Sequence, residues 1–439
     1  MSSTNKMPIT LERILGKGNI GKAIRRVLSN KGAPGVDGMK TCEFIDYCQS
    51  HPYEISNSVL NGTYEPQPIK RVYIPKDNGE MRPLGIPTVI DRVVQQAVAQ
   101  VLQEEYEKEF SESSFGFRPE LSCKDAVVEA FKVINQGKIW IIDLDLSKFF
   151  DTVNHSKLLQ LLSDRIDDGR VISLIHKFLK APVMENGKVG PKSTIGTPQG
   201  GCISPVLANI MLNELDQLLD SRGISFCRYA DDMVIMCGSE KAAKRILKNV
   251  TEFLEGTLFL KVNKEKTKIG MASPDMQFLG FGFTDSSDPR EWPTDRPDEW
   301  NPVIHEKKVT KLKDSLRKIL DRRAPGGIDK VIKNLKTKLR GWVNYFCGSI
   351  PDNLCKSIDG WIRRRIRQLY WKNWKTPQQR ATKFKELCPY APDIGHYPYA
   401  NNNYWHMART KVIHTVLRNS TLQKLGWVWI ARFDYQSAF

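Results

Sequence analysis

The 439-residue sequence predicts a fold of mixed strand and helix followed by a basic, helical last third, and three observations carry that expectation. Two short apolar runs end in aspartates, Asp143 and Asp145 in one and Asp231 and Asp232 in the other. Helical patterns lie between and after these runs. The net charge of +17 is confined to the end of the chain: residues 301–439 hold 28 Lys and Arg against 9 Asp and Glu, while the first 300 residues hold 38 against 40. A chain of this length holds about two to four domains with an ample core.

The first element is a hairpin. Residues 72–87 read VYIPKDNGEMRPLGIP, with Asp77-Asn78-Gly79 as the tight turn and a cation on either side, Lys76 and Arg82. Two such cations suit a triphosphate, and they equally suit a charged surface. Next comes a strand over residues 138–146, KIWIIDLDL. Its side chains alternate, so Asp143 and Asp145 share a face with Ile139 and Ile141, while Trp140, Ile142, Leu144 and Leu146 take the other. Residues 147–151 turn, and Asn154-His155 begins a helical pattern. Residues 196–205, GTPQGGCISP, then open an apolar helix at Val206 to Leu212. Glycines in that position let backbone N–H groups approach a phosphate closely, although glycine-rich connections are common.

Residues 226–236, FCRYADDMVIM, place Asp231 and Asp232 between two apolar runs. Aspartate tolerates tight turns, so the pair suits the tip of a hairpin. It also suits a cation site, because carboxylates gathered at low dielectric need a neutralising ion. Mg²⁺ takes one or two protein carboxylates and completes its shell with phosphates and water. Asp145 and Asp231, one from each strand, match that need, and two such ions clamp the attacking and leaving oxygens of a phosphoryl transfer. Soft or tetrahedral metal chemistry is excluded: the nine cysteines include no C-x-x-C and the seven histidines no HExxH. The thiols read as reduced residues of an intracellular protein.

Residues 284–302, TDSSDPREWPTDRPDEWNP, read as a linker that neither helix nor strand tolerates well. Helices are expected after it at Lys307 to Arg323, Ile328 to Phe346 and Asn353 to Trp374. Residues 301–439 also hold seven of the ten tryptophans. Basic residues interleaved with aromatics mark a surface that follows phosphates and stacks on bases, and solvated helix faces over a tryptophan core give the same composition. There is no apolar run of about 18 residues and no signal peptide, so a soluble, cytoplasmic protein without a membrane partner is expected.

The motifs RPLGIPTVIDR (82–92), SSFGFRPELSC (113–123), DLDLSKFFDTVNH (143–155), GTPQGGCISPVLANIMLNELD (196–216), RYADD (228–232), LKVNKEKTKI (260–269) and FLGFGF (278–283) follow one another from about Thr10 to Trp427. In that order they resemble the successive blocks of bacterial group II intron-encoded reverse transcriptases, or maturases. The resemblance implies an α+β right-hand polymerase: fingers and palm with an antiparallel palm sheet, then an all-α thumb. By position, residues 1–65 form an N-terminal extension and the start of the fingers, with NKGAPGVDGM (30–39) over the template. Residues 66–284 form fingers and palm, 285–302 a linker, 303–380 the helical thumb or maturase X domain, and 381–439 a basic, aromatic nucleic-acid-binding region.

Carried over residue by residue, the resemblance implies that Asp145, Asp231 and Asp232 are catalytic. With the backbone carbonyl of Leu146 they hold two Mg²⁺ ions, which Mn²⁺ can replace; Asp143 is left as a supporting acid. Lys76, Arg82, Phe150, Gln199 and Gly200 would bind the dNTP, the Phe150 ring filling the space a ribose 2′-OH needs. Lys266 is the candidate general acid for pyrophosphate. Arg340, Trp342, Arg363, Arg364, Arg365 and Arg367 would contact nucleic acid, the last four covering more than one helix face. The implied function is RNA-directed DNA synthesis, together with maturase assistance to splicing and retrohoming. The implied partners are an RNA template such as group II intron RNA, a DNA or RNA primer, dNTPs, and a second copy of the chain as a homodimer. Nucleoid association follows when the protein is on DNA. No HNH endonuclease is found before Phe439, which speaks against second-strand cleavage. Two other readings stay open: a domesticated enzyme of DNA repair or phage defence, and an RNA-binding splicing cofactor whose polymerase is incidental.

Overall fold

A computed structural model describes residues 8–75, 79–285, 299–321, 323, 326–389, 397–399 and 403–433. It divides into two compact units, Met1–Met271 and Ala272–Phe439. The described residues mix helices with three sheets.

In the first unit, apolar positions at helical spacing build the frame. Val89, Val93, Val94, Ala97, Val98, Val101 and Leu102 are buried along the helix Val89–Tyr106, which Thr88 starts by accepting a hydrogen bond from Asp91 N. The helix Lys17–Ser29 packs on it, with Asn19 Nδ2 donating to Ala97 O at 2.9 Å. Strands β1 (Ile69–Pro75) and β2 (Met81–Ile86) form the expected hairpin, Ile74 opposite Arg82. Its apex, residues 76–78 and with it Lys76, lies outside the described residues. After β3 (Trp140–Leu144), strands β4 (Val183–Glu185) and β5 (Lys188–Val189) extend the hairpin into a sheet of order β2-β1-β4-β5, in which β1 and β4 are parallel.

The second sheet of this unit carries the acids. Strands β6 (Ser225–Tyr229), β7 (Asp232–Cys237) and β8 (Lys268–Met271) join β3 in the order β6-β7-β3-β8, antiparallel throughout, with Ile142 opposite both Ile235 and Ile269. Ile141 and Ile142 point to opposite faces and both are fully buried, so this central strand is covered on both sides. The helices Cys123–Asn135, Ser204–Ser221 and Glu240–Gly256 pack against the sheet. Each fully buried Ile or Leu contributes about 1.5–3 kcal/mol. The strand is shorter than the sequence pattern suggested, ending at Leu144. Asp145 and Asp231 therefore lie in loops at strand ends, not within the strands.

The second unit opens with an antiparallel pair, β9 (Phe281–Asp285) and β10 (Trp300–Ile304). This corrects the expected linker: its described C-terminal end is strand, with Pro302 opposite Phe283. Proline is tolerated here because a two-stranded pair is all edge and loses no ladder on the outer side. The rest of the expected linker, 286–298, lies outside the described residues. Helices follow at Glu306–Ile319, Gly327–Phe346, Asp352–Asn373 and Pro377–Leu387. The first stops four residues before the expected Arg323, where Asp321 turns back to accept a hydrogen bond from Arg323 N at 2.7 Å. Leu335, Leu339, Trp342, Val343 and Phe346 on one helix and Ile358, Ile362 and Ile366 on the next are buried at three- and four-residue spacing. Asp359 then ties down the segment at 430–431, accepting from Ile430 N at 2.7 Å and Ala431 N at 3.0 Å.

Five of the seven tryptophans in 301–439, Trp342, Trp371, Trp374, Trp427 and Trp429, are buried in this unit. Two nucleic-acid contacts expected from the sequence are thereby corrected. Trp342 is 9% exposed and its ring lies 5.1 Å from that of Phe346, while Arg367 is 5% exposed and donates through Nε to Leu417 O at 3.2 Å. Both fall on the inward stripe of their helices, which outweighs their residue type. Among the described residues no helix is long and apolar enough to cross a membrane.

Candidate functional site

Two strand ends and one loop converge on the site. Tyr229 pairs with Asp232, so Ala230 and Asp231 form the two-residue turn between β6 and β7. Of the two aspartates Asp231 lies in the turn, as the hairpin reading expects, and Asp232 opens β7. Ala230 sits at φ +58°, a left-handed conformation that alanine adopts only when its surroundings enforce it. Two segments do so, the SSFGF stretch and the strand that bears Arg228. Phe115 N donates to Arg228 O at 2.8 Å and Arg228 N to Ser113 O at 2.9 Å, which zips the SSFGF segment to the strand. Gly116 lies flat against the turn, where a Cβ would overlap Ala230 N. Arg228 Nη1 donates to Ala230 O at 3.0 Å and fastens the turn from beneath.

Arg228 is 1% exposed and its guanidinium is fully employed. Nε donates to Asp216 Oδ1 at 2.8 Å, Nη1 to Asn209 Oδ1 at 3.0 Å and Nη2 to Ser114 Oγ at 2.7 Å, with Asp216 Oδ2 closing the ion pair. Asp216 and Asn209 come from the helix Ser204–Ser221, and Asn209 Nδ2 also donates to Gly116 O at 2.8 Å. A buried charge persists only when paired and hydrogen-bonded in this way. The sequence reading missed this network. Its signal was an arginine between Cys227 and Tyr229 in a buried run, with Asp216 falling among Leu212, Leu215 and Leu219 on a helix.

Asp145 follows β3 in a pinned backbone. Its N donates to Thr267 Oγ1 at 3.2 Å and its O accepts from Asn263 N at 2.9 Å. Lys266 Nζ stands 3.7 Å from Asp145 Oδ2, so the LKVNKEKTKI segment brings a cation to the acid. Leu146 is buried and bridges Val262. Burial pushes the Asp231 carboxyl above its ordinary value and the Asp145 charge pushes it further, against the opposing pull of Arg82 and Arg228. Asp143 is pushed up to about 6, first by burial and then by Asp232 and Asp145, against Lys268. The charges of Asp145 and Asp232 thus bear on Asp143, and that of Asp145 on Asp231, at the end of the sheet.

A hard divalent cation fits that environment: the donors are carboxylate oxygens, burial and the Asp145 charge both raise Asp231, and a cation removes that conflict. Among the described residues no three His, Cys, Asp or Glu side chains close into a preformed cage. Mg²⁺ held by one or two carboxylates, with water and phosphate completing its shell, requires none.

Beside the acids lies the glycine-rich loop. Gly85 N donates to Gln199 O at 2.6 Å, and Gly200, at φ +118°, lies so close to Gly85 O that a Cβ would overlap it. The loop is therefore laid directly on β2. Arg82 Nε donates to Gln199 Oε1 at 3.2 Å and Gln199 Nε2 to Asp151 Oδ1 at 3.4 Å, a chain across the open side. Thr197 N donates to Phe150 O at 2.6 Å, and the half-buried Phe150 ring meets Phe149 edge-on at 5.2 Å. A cavity of about 300 Å³ opens between the loop, β1 and β2, lined in part by Arg71, Gly85, Asp151, Thr197 and Gln199. The structure thus brings Arg82, Phe150, Gln199 and Gly200 onto one side of the first unit. Arg340 is exposed and Arg363, Arg364 and Arg365 are half-buried in the second.

Comparison with known proteins gives the class first. Residues 74–283 match the family model described as reverse transcriptase (RNA-dependent DNA polymerase), and residues 309–387 match the maturase-specific domain of group II introns. Protein YkfC of Escherichia coli K12 is 36% identical over 301 residues, 60% of this chain and 79% of that one. The group II intron-encoded protein LtrA of Lactococcus lactis subsp. cremoris is 31% identical, covering 59% of this chain and 54% of LtrA. A putative COX1/OXI3 intron 2 protein of Saccharomyces cerevisiae is 29% identical over 53% of this chain and 34% of its own length. The chain belongs to the group II intron reverse transcriptase and maturase family. It spans about half of LtrA and a third of the yeast protein.

Proposed function

We propose that this protein is an RNA-directed DNA polymerase of group II intron type that copies an RNA template into cDNA from a DNA or RNA primer, and that also binds intron RNA as a maturase. The observation that carries the reading is the gathering of Asp145 and Asp231, near enough for the charge of the first to raise the carboxyl of the second, at strand ends fastened by Arg228 and Thr267. The first unit serves as fingers and palm, with its acid-bearing sheet as the palm, and the basic helices of the second unit serve as the thumb.

Asp145 and Asp231, with the Leu146 carbonyl, would hold two Mg²⁺ ions, and Asp232 would support them. When bound, the ions supply activation of the primer 3′-hydroxyl and neutralisation of the pyrophosphate charge. Lys266, whose Nζ lies 3.7 Å from Asp145 Oδ2, would give a proton to the leaving group. Arg82 and the Gln199-Gly200 loop orient the triphosphate, and Lys76 is assigned the same task from the sequence alone. Phe150 packs under the sugar and disfavours a 2′-hydroxyl by volume. The thumb's share of the binding falls to Arg340, Arg363, Arg364 and Arg365, the binding residues from the sequence reading that are not buried.

The test is incorporation of labelled dNTPs on poly(rA)/oligo(dT) with Mg²⁺. Asp231→Ala is expected to lower synthesis by at least about 10²–10³-fold while leaving RNA affinity and the melting temperature intact, since a destabilised buried charge is removed. A folded wild-type protein that binds RNA and makes no cDNA would overturn the reading.

A further inference from the structure

The C-terminal unit gathers charge around one ring. Trp405, half-buried in the short helix Tyr404–Met407, has the guanidinium carbons of Arg364, Arg365 and Arg409 at 5.6, 5.5 and 5.3 Å from its ring centre. Arg365 also lies 5.4 Å from the centre of Trp361. Beside Trp405 is a cavity of about 400 Å³ lined by Leu320, Asp321, Arg323, Arg365, Gln368 and Trp405. That volume lies within the usual range of ligand pockets, about 300–1,000 Å³.

The lining defines the ligand's chemistry. Trp405 offers a flat aromatic wall and Leu320 an apolar floor. Gln368 offers an amide that can both donate to and accept from the edge of a planar heterocycle. Arg323, 80% exposed at the rim, and Arg365 present guanidinium groups of the geometry that suits phosphate. The lining acid, Asp321, is occupied by Arg323, its Oδ1 accepting from Arg323 N at 2.7 Å and lying 3.4 Å from Nε. Positive charge is in excess locally: after burial, Arg363 and Arg364 pull the neighbouring Arg367 down to about 10. Stacking wall, hydrogen-bonding edge and phosphate grip together describe a nucleotide. A duplex cannot fill such a cavity, because its bases are already stacked on one another, whereas an unpaired base can turn out and stack on the ring. An acidic peptide would satisfy the arginines and leave the aromatic wall unused.

We propose that this cavity captures one unpaired nucleotide of a looped or single-stranded nucleic acid, with its base on Trp405 and its phosphate against Arg323 and Arg365. The proposal rests on the reading of this unit as nucleic-acid-binding and specifies what it recognises. RNA loops and single-stranded DNA share the chemistry, so both are tested.

Fluorescence anisotropy of the full chain is measured with three labelled probes: an RNA hairpin with an unpaired loop, a blunt RNA duplex of equal length, and single-stranded DNA of the loop sequence. Trp405→Leu is expected to weaken hairpin binding about tenfold and to leave duplex binding unchanged. Arg323→Gln, at an exposed position that does not endanger the fold, is expected to weaken hairpin binding several-fold and to lower the salt slope by about one. A Trp405→Leu loss confined to single-stranded DNA supports the same cavity with DNA as its source. Equal losses on hairpin and duplex, or no loss in either variant while the wild type binds all three probes, overturn the cavity and leave the unit's nucleic-acid binding standing. A wild type that binds none of the probes overturns both.

Discussion

Two buried arginines, one in each unit, are held in opposite ways. Arg228 in the first unit meets a buried acid, a hydroxyl, an amide and a backbone carbonyl, and its charge is spent on fixing one turn. Arg367 in the second meets the Leu417 carbonyl and the repulsion of Arg363 and Arg364. The nearby cations rest on rings: Arg363 on Trp429 at 5.3 Å and Arg380 on Trp371 at 4.2 Å. Charge in the first unit is internal scaffolding. In the second it is an accumulation that aromatic rings tolerate and an outside polyanion can use.

The strongest test of this contrast replaces each arginine by methionine. Arg228→Met leaves Asp216 buried without its partner and is expected to cost about 3–5 kcal/mol in urea unfolding. Arg367→Met orphans no acid and roughly conserves volume, so its cost should stay under about 1.5 kcal/mol. Equal costs would break the comparison. A smaller effect is expected from Asp168, which accepts from Leu11 N at 2.9 Å and Arg170 N at 3.0 Å and is held down to about 2 chiefly by Arg170. Asp168→Asn should cost about 1–2 kcal/mol at pH 7. A carboxyl whose folded pKa is depressed stabilises above its unfolded value of 3.8 and loses that contribution as pH falls towards 2. The gap between wild type and variant should therefore narrow below pH 4; a gap that widens there contradicts the assignment. The smallest change in stability, within about 0.5 kcal/mol, is expected for the exposed Arg340→Gln, together with a salt slope of RNA binding shallower by about one. An unchanged slope would remove Arg340 from the binding surface.

The same contrast explains what the sequence revealed. The acid-bearing strands were legible because two carboxylates at the end of an apolar alternation are rare without a purpose, and the paired strands of the hairpin at 72–87 because two extended runs flank Asp-Asn-Gly in the sequence. The three helices Glu306–Ile319, Gly327–Phe346 and Asp352–Asn373 were legible to within four residues from their apolar spacing, and those after residue 376 were not. The Arg228 network was not, because its partners at 114, 209 and 216 are distant in sequence and individually ordinary. Nor could the sequence separate Arg367 from Arg363, Arg364 and Arg365: in a run of four arginines only the packing of Ile358, Ile362 and Ile366 decides which one turns inward. The β10 strand was hidden by a proline that an edge position tolerates.

The pairing of β3 with both β7 and β8 has a consequence for synthesis of the protein itself. Residues 140–144 find their neighbours only at 232–237 and 268–271, and Ser114 meets Arg228 across 114 positions. Such distant closures bring little reward until both ends are present. A nascent chain that has reached residue 200 already contains Asp145, yet it has neither the sheet nor the turn that would make the aspartate useful. The sheet can close only after residues 268–271 have been made, and until then the apolar central strand lacks the neighbours that cover it.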